Sequence, residues 1–279
     1  MVAPSAAIEE PEAAADPPSA AAGGLDRDVP GMVARALERG DTLLAYQPVV
    51  QARRPGRVAF HEALIRLRDD AGRILPAGRF VAACEGQEIG RRLDRRALAL
   101  ALDILAAVPS IRLSVNMSAR SIGCPGWAET LARGLAGRPT VAERLIVEIT
   151  ESSAILAPDV TIGFIRDLQR RGVAVALDDF GAGYTAFRYL RDFNLDMLKI
   201  AGDFVTGVAR MPDNRVLARA LIDIARHFDI FTVAEAVESA EDAHTMTALG
   251  IDSLQGYHFG RPTTRPPVSQ PAPRIRGPG

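Results

Sequence analysis

From Thr42 to Tyr257, short runs rich in Val, Ile and Leu alternate with amphipathic stretches of helical period. That alternation restricts the fold more than any other feature. The strand-like runs are residues 42–50, 57–66, 111–116, 144–149, 173–178, 197–201, 231–235 and 253–257. Most are separated by segments with apolar residues three and four apart, at 88–108, 127–135, 160–171, 214–228 and 240–249. Strand–helix–strand order builds a parallel sheet, and eight such strands predict an α/β fold of the closed (β/α)8, TIM-like kind. The first pair departs from the pattern. Its connection, with Arg53-Arg54-Pro55-Gly56, is too short for a crossover helix, so a hairpin and one antiparallel strand are expected.

The ends read differently. Residues 1–28 hold nine Ala, four Pro and six acidic residues but almost no large apolar side chain, too little to offset the entropy of ordering. They are expected to form a disordered acidic leader, and residues 263–279 a Pro-rich tail, around a barrel domain at 29–262. The leader's charge suits a protein partner without requiring one.

Composition excludes several classes. A net charge of -1 gives no electrostatic reason to bind a nucleic-acid polymer. No uncharged apolar run approaches the ~18 residues of a membrane span, and the N-terminus lacks a secretory signal, so the whole chain is expected in the cytoplasm without membrane insertion. Cys84 and Cys124 are too few and too far apart for a disulfide framework or a cysteine zinc site. Among 33 basic residues Lys199 is the only lysine, and a site that needs a compact ammonium will not accept a guanidinium.

From the second strand onward each run ends in a polar group: Glu62, Asn116, Glu148, Asp178-Asp179, Lys199, Glu235 and Gln255. Any one alone is an ordinary strand-end residue. Together, in a (β/α)8 barrel, they converge on the mouth formed by the C-terminal strand ends, where active sites of this fold lie. Five carboxylates confined there repel one another unless cations bind or some are protonated. Oxygen donors without His or Cys favour Mg2+ or Mn2+, and adjacent aspartates before a glycine-rich turn suit two ions and phosphoryl chemistry.

Glu62-Ala63-Leu64 with Arg66, Asn116, residues 148–151, Asp178-Asp179-Phe180-Gly181, Lys199-Ile200, Ala234-Glu235 with Glu238, and Gln255-Gly256-Tyr257 occur in order. With Tyr46-Gln47-Pro48, this set resembles the EAL-domain family of cyclic di-GMP phosphodiesterases from about Leu43 to Pro262. The resemblance implies a modified barrel with one antiparallel strand, metal-dependent hydrolysis of cyclic di-GMP to linear pGpG in bacterial signalling, and frequent homodimers. It also implies residue roles. Glu62, Asn116, Glu148 and Asp178 would hold a first Mg2+ or Mn2+, and Asp178 with Asp179 a second. Glu235 would take a proton from the attacking water or complete the metal shell, and Lys199 would hydrogen-bond that water or the phosphate. Arg66, Leu64 and Gln255 would bind substrate, while Glu151 and Glu238 would hold the loop after Asp179.

The sequence departs from the family at three places. Lys-Ile-Asp is here Lys199-Ile200-Ala201, Thr and two serines of the loop after Asp179 are Ala182 and Thr185-Ala186, and the usual Gly after Glu235 is Ala236. A catalytically impaired domain that serves as a cyclic di-GMP receptor or scaffold is therefore the alternative. An unrelated acid-rich barrel with a lysine base would leave the loop after Asp178 unexplained. His61, adjacent to Glu62, is expected to face away from the mouth, and Arg91, Arg92, Arg95 and Arg96 to form a solvated helix face.

Overall fold

The computed structural model describes residues 28–182 and 187–267, without the side chain of Arg188. The leader up to residue 27, the tail from 268 and the changes at Thr185 and Ala186 lie outside the described residues. Among the described residues nine strands form one sheet: β1 Thr42–Gln51, β2 Arg54–Arg68, β3 Ile74–Pro76, β4 Leu113–Met117, β5 Leu145–Thr150, β6 Ala174–Phe180, β7 Met197–Ile200, β8 Phe231–Ala234 and β9 Ser253–Gln255. The order β1-β9-β8-β7-β6-β5-β4-β2 closes on itself because β1 also pairs with β2, and β3 is added outside the ring on the end of β2. β1 runs antiparallel to both neighbours, while every other contact within the ring is parallel. The modified TIM-like barrel and its hairpin are thus present.

The helices are α1 Val29–Arg39, α2 Val81–Cys84, α3 Glu88–Ala107, α4 Pro125–Leu135, α5 Pro139–Ala142, α6 Glu151–Leu156, α7 Pro158–Arg170, α8 Arg188–Phe193, α9 Gly202–Val205, α10 Pro212–His227 and α11 Ala240–Leu249. Among the described residues no helix is long and apolar enough to cross a membrane. Helix α1 begins with Asp28 accepting from the Gly31 amide and ends at Gly40 in the left-handed conformation. Asp28 and Gly40 are the sequence signals of these caps, and hydrophobic periodicity alone does not mark the helix. Thr263, placed at the head of the tail, instead exchanges backbone hydrogen bonds with Tyr46. The backbone at Thr263 is thus satisfied by a β-bridge to β1.

Strand alternation generates both the floor and the mouth of the barrel. Val49, Phe60, Ile146, Ala176, Met197 and Val233 form a separate apolar cluster. Five of them lie two positions before Glu62, Glu148, Asp178, Lys199 and Glu235, and residues two apart on a strand share a face. The apolar layer is thus the floor on which the polar layer stands. The opposite parity, including Val115, Val147, Val175, Leu177 and Leu198, belongs to the larger core between the barrel and its helices. His61, on that outer face, is 8% exposed, and burial pushes its pKa down to about 4.

Candidate active site

Lys199 is the centre of the mouth. Its side chain is 1% exposed, and its ammonium lies 2.9 Å from Glu148 Oε2, 2.9 Å from Asp178 Oδ1, 2.8 Å from Glu235 Oε1 and 3.6 Å from Glu62 Oε2. One positive charge faces four carboxylates from β2, β5, β6 and the residue after β8. Burial opposes the charge on the amine, but the four acids outweigh it and hold its pKa well above the usual lysine value. The acids themselves divide. Burial raises Glu148 well above the carboxylate range, Lys199 opposes this, and the charges of Glu62 and Asp178 add to it. Burial likewise raises Glu235 to about 8. Burial pushes Glu62 upward too, yet Lys199 and hydrogen bonds from Gln255 and Asn116 leave it below its ordinary value.

Those hydrogen bonds tie the rim together. Asn116 Nδ2 donates to Glu62 Oε1 at 2.7 Å, and Gln255 Nε2 donates to Glu62 Oε2 at 2.5 Å and to Gln47 Oε1 at 3.2 Å. Gln47 in turn donates to the Gly260 carbonyl. Gln47, in the Tyr46-Gln47-Pro48 motif, has Glu62 as its register partner, which places both on one face.

Consecutive strand residues face opposite ways, so Asp178 and Asp179 should not share the mouth. They do because Asp179 has φ +54° and the β6–β7 register breaks between Leu177 and Phe180. Asp179 thereby lines the cleft, with its pKa raised by burial and then by Asp178. The loop that follows is held by Glu151, whose Oε2 accepts from the Gly181 amide at 3.0 Å. Glu151→Ala is expected to reduce turnover about 10- to 100-fold and Glu151→Gln less, since the amide keeps an acceptor; steady-state kinetics check both.

The cleft holds about 380 Å3, and its walls include Leu64, Glu235, Glu238 and Tyr257. Glu238 stands exposed in the cleft wall. Arg66 is 6% exposed, donates to the Ile65 carbonyl and lies outside the cleft lining. The arginines of α3 are also not simply a solvated face: Arg91 donates to the Arg120 carbonyl and Arg96 to Thr42 Oγ1, because adjoining loops supply acceptors.

Backbone constraints shape the wall. A Cβ at Gly256 would meet Val237 O at 2.1 Å, so the Gln255-Gly256-Tyr257 motif needs its glycine for close backbone approach. Ala236 has φ +50°, and its methyl is where a Cβ at Gly202 would collide, at 2.8 Å. Left-handed backbone costs an alanine about 1–2 kcal/mol, of which the greater chain entropy of glycine returns part. Ala236→Gly is therefore expected to raise the melting temperature by about 2 °C. An unchanged or lower value in a thermal melt would show that the methyl's packing outweighs the strain.

The donors fit a hard divalent cation. They are all oxygens, their charge exceeds that of Lys199, and the buried Glu148 Oε1 has no hydrogen-bond partner. The carboxylates close on the ammonium, and among the described residues no three acids, His or Cys are gathered in ligating geometry.

The EAL domain model matches residues 31–262. The chain belongs to the EAL-domain family. It is 32% identical over 234 residues to the cyclic di-GMP phosphodiesterase PdeB of Shewanella oneidensis, covering 82% of this chain and 27% of that protein. To PdeF of Escherichia coli, also named a cyclic di-GMP phosphodiesterase, it is 29% identical, covering 82% and 31%. It thus spans about a third or less of these relatives' length. A solved structure titled PaMucR phosphodiesterase in complex with c-di-GMP superposes with a TM-score of 0.77 at 28% identity, covering 85% of this chain and 97% of that one. The Xanthomonas citri FimX EAL domain, solved with c-di-GMP, has the same fold, with a TM-score of 0.78 at 24% identity over 85% of this chain and 94% of that one.

Proposed function

We propose that this EAL domain is a bacterial phosphodiesterase that hydrolyses cyclic di-GMP to linear pGpG with Mg2+ or Mn2+. The observation that carries the reading is the buried Lys199 ammonium among four strand-end carboxylates at the foot of an open cleft. The relatives named cyclic di-GMP phosphodiesterases support the substrate.

Glu62, Asn116, Glu148 and Asp178 would hold one cation, and Asp178 with Asp179 a second. Bound cations supply Lewis acidity and make water easier to deprotonate. Glu235 accepts the proton from the attacking water, and Lys199 balances the negative charge that grows on the phosphoryl oxygens. Leu64 and Gln255 shape the substrate side of the cleft, and Arg66, on the same face of β2, is assigned to the phosphate. Glu151 holds Asp179 in place, and Glu238 lines the cleft where the substrate passes. A homodimer, a cytoplasmic location consistent with free Cys84 and Cys124, and a protein partner for the leader belong to the same proposal.

The departures at Ala201 and Ala236 favour a second reading, a domain that binds cyclic di-GMP without turning it over. Ala201 is 2% exposed and sits just beyond β7 at the cap of α9. Incubating the protein with cyclic di-GMP and Mg2+ or Mn2+, with binding and pGpG both measured, tests the two. Metal-dependent pGpG formation is expected. Tight binding without product, with product appearing in Ala201→Asp, would establish the receptor instead.

A further inference from the structure

The strand end that carries Asn116 is fastened from outside the barrel. Asp94 Oδ2, on α3, accepts from the Ser118 amide at 3.0 Å, the Ser118 hydroxyl at 2.6 Å and the Ser121 hydroxyl at 2.6 Å. One helical turn earlier on the same face, Arg91 Nε donates to the Arg120 carbonyl at 2.9 Å. Both contacts grip residues 118–121, immediately after β4. Ser118 lies two residues beyond Asn116, whose amide holds Glu62 Oε1.

We propose that Asp94 is a positioning residue of the active site: it fixes the end of β4, and through Asn116 it sets the orientation of the Glu62 carboxylate. The physical case is one of partners. A carboxylate oxygen taking three hydrogen bonds within a single loop leaves that loop few alternative conformations, and charge-assisted bonds are the stronger kind. Asn116 is exposed at the rim, where little packing constrains it. Its direction therefore depends on the backbone that Ser118 anchors. Ser121 is fully buried, so its hydroxyl needs this acceptor.

This inference rests on the phosphodiesterase reading, and the experiment separates the two. Turnover and Mn2+ affinity of the substrate-free protein are measured for wild type, Asp94→Ala, Asp94→Asn, Ser121→Ala and Asn116→Ala. Asp94→Ala is expected to lower kcat and Mn2+ affinity about 10- to 100-fold with KM nearly unchanged. Asp94→Asn, which keeps an acceptor for the same donors, is expected to recover most of the loss, and Ser121→Ala to show a smaller loss. In the Asn116→Ala background Asp94→Ala is expected to cost little more, because residues acting through one group are not additive. Hydrogen exchange should quicken at the Ser118 amide while the barrel strands stay protected. Fully additive losses, or an Asp94→Ala enzyme with wild-type kcat and Mn2+ affinity, would overturn the proposal. If wild type binds Mn2+ without turnover, the phosphodiesterase reading fails while the Mn2+ affinities still decide the role of Asp94. A wild type that binds neither Mn2+ nor cyclic di-GMP overturns both.

Discussion

Lys199→Met is expected to abolish cyclic di-GMP hydrolysis and to lower the melting temperature by about 10 °C, since stranding buried charges costs about 3–5 kcal/mol. The ammonium is 1% exposed and supplies the positive charge that faces Glu62, Glu148, Asp178 and Glu235. Methionine matches its length and fits the apolar floor beneath it, where Met197 already lies. The loss is therefore electrostatic rather than a cavity. Mn2+ should restore more stability to the variant than to wild type, because a divalent cation replaces the missing charge, yet turnover should not return. Lys199→Arg should also fail: the guanidinium is too broad to sit within 3 Å of three carboxylates from different strands. Thermal melts with and without Mn2+, beside a pGpG assay, check each point. Wild-type turnover in Lys199→Met would remove the lysine from the chemistry.

Glu235→Gln is expected to reduce kcat about 100- to 10,000-fold, the usual contribution of a positioned acid–base group, while cyclic di-GMP still binds. Its carboxylate stands one residue past β8, 2.8 Å from Lys199, and lines the cleft. Stability should move the other way. Burial raises its pKa to about 8, so below that pH the folded protein holds a proton on this acid that the unfolded chain has released, a cost an amide does not carry, and proton acceptance by Glu235 should strengthen as pH rises through about 8. The variant should melt at or above the wild-type temperature. A loss of activity with higher stability marks a catalytic group, whereas loss of both would indicate a structural one. Unchanged kcat would show that another group takes the proton.

Much of this site was legible because barrel strands obey a period of two. Glu62, Glu148, Asp178 and Lys199 stand two residues after Phe60, Ile146, Ala176 and Met197, which form the floor. The same parity places Arg66 with Glu62 and Leu64, while the rotamer that lets it donate to the Ile65 carbonyl is not given by parity. The short strand β3 escaped notice because three residues ending in Pro76 carry no periodic signal. The grip of Asp94 on Ser118 and Ser121 joins residues 24 and 27 positions apart, across a helix and a strand, a distance at which local pattern says nothing.

The order of apolar runs and the polar residue closing each one determined the barrel, its hairpin and the set of groups at its mouth, because hydrophobic burial acts through local periodicity. Tertiary structure alone decided how those groups meet. It turned Asp179 back toward Asp178 through a left-handed residue, closed four acids around Lys199, and gave Ala236 a conformation its methyl opposes. Each depends on contacts between strands distant in the chain, where charge, desolvation and backbone strain are set by neighbours that the local sequence does not name.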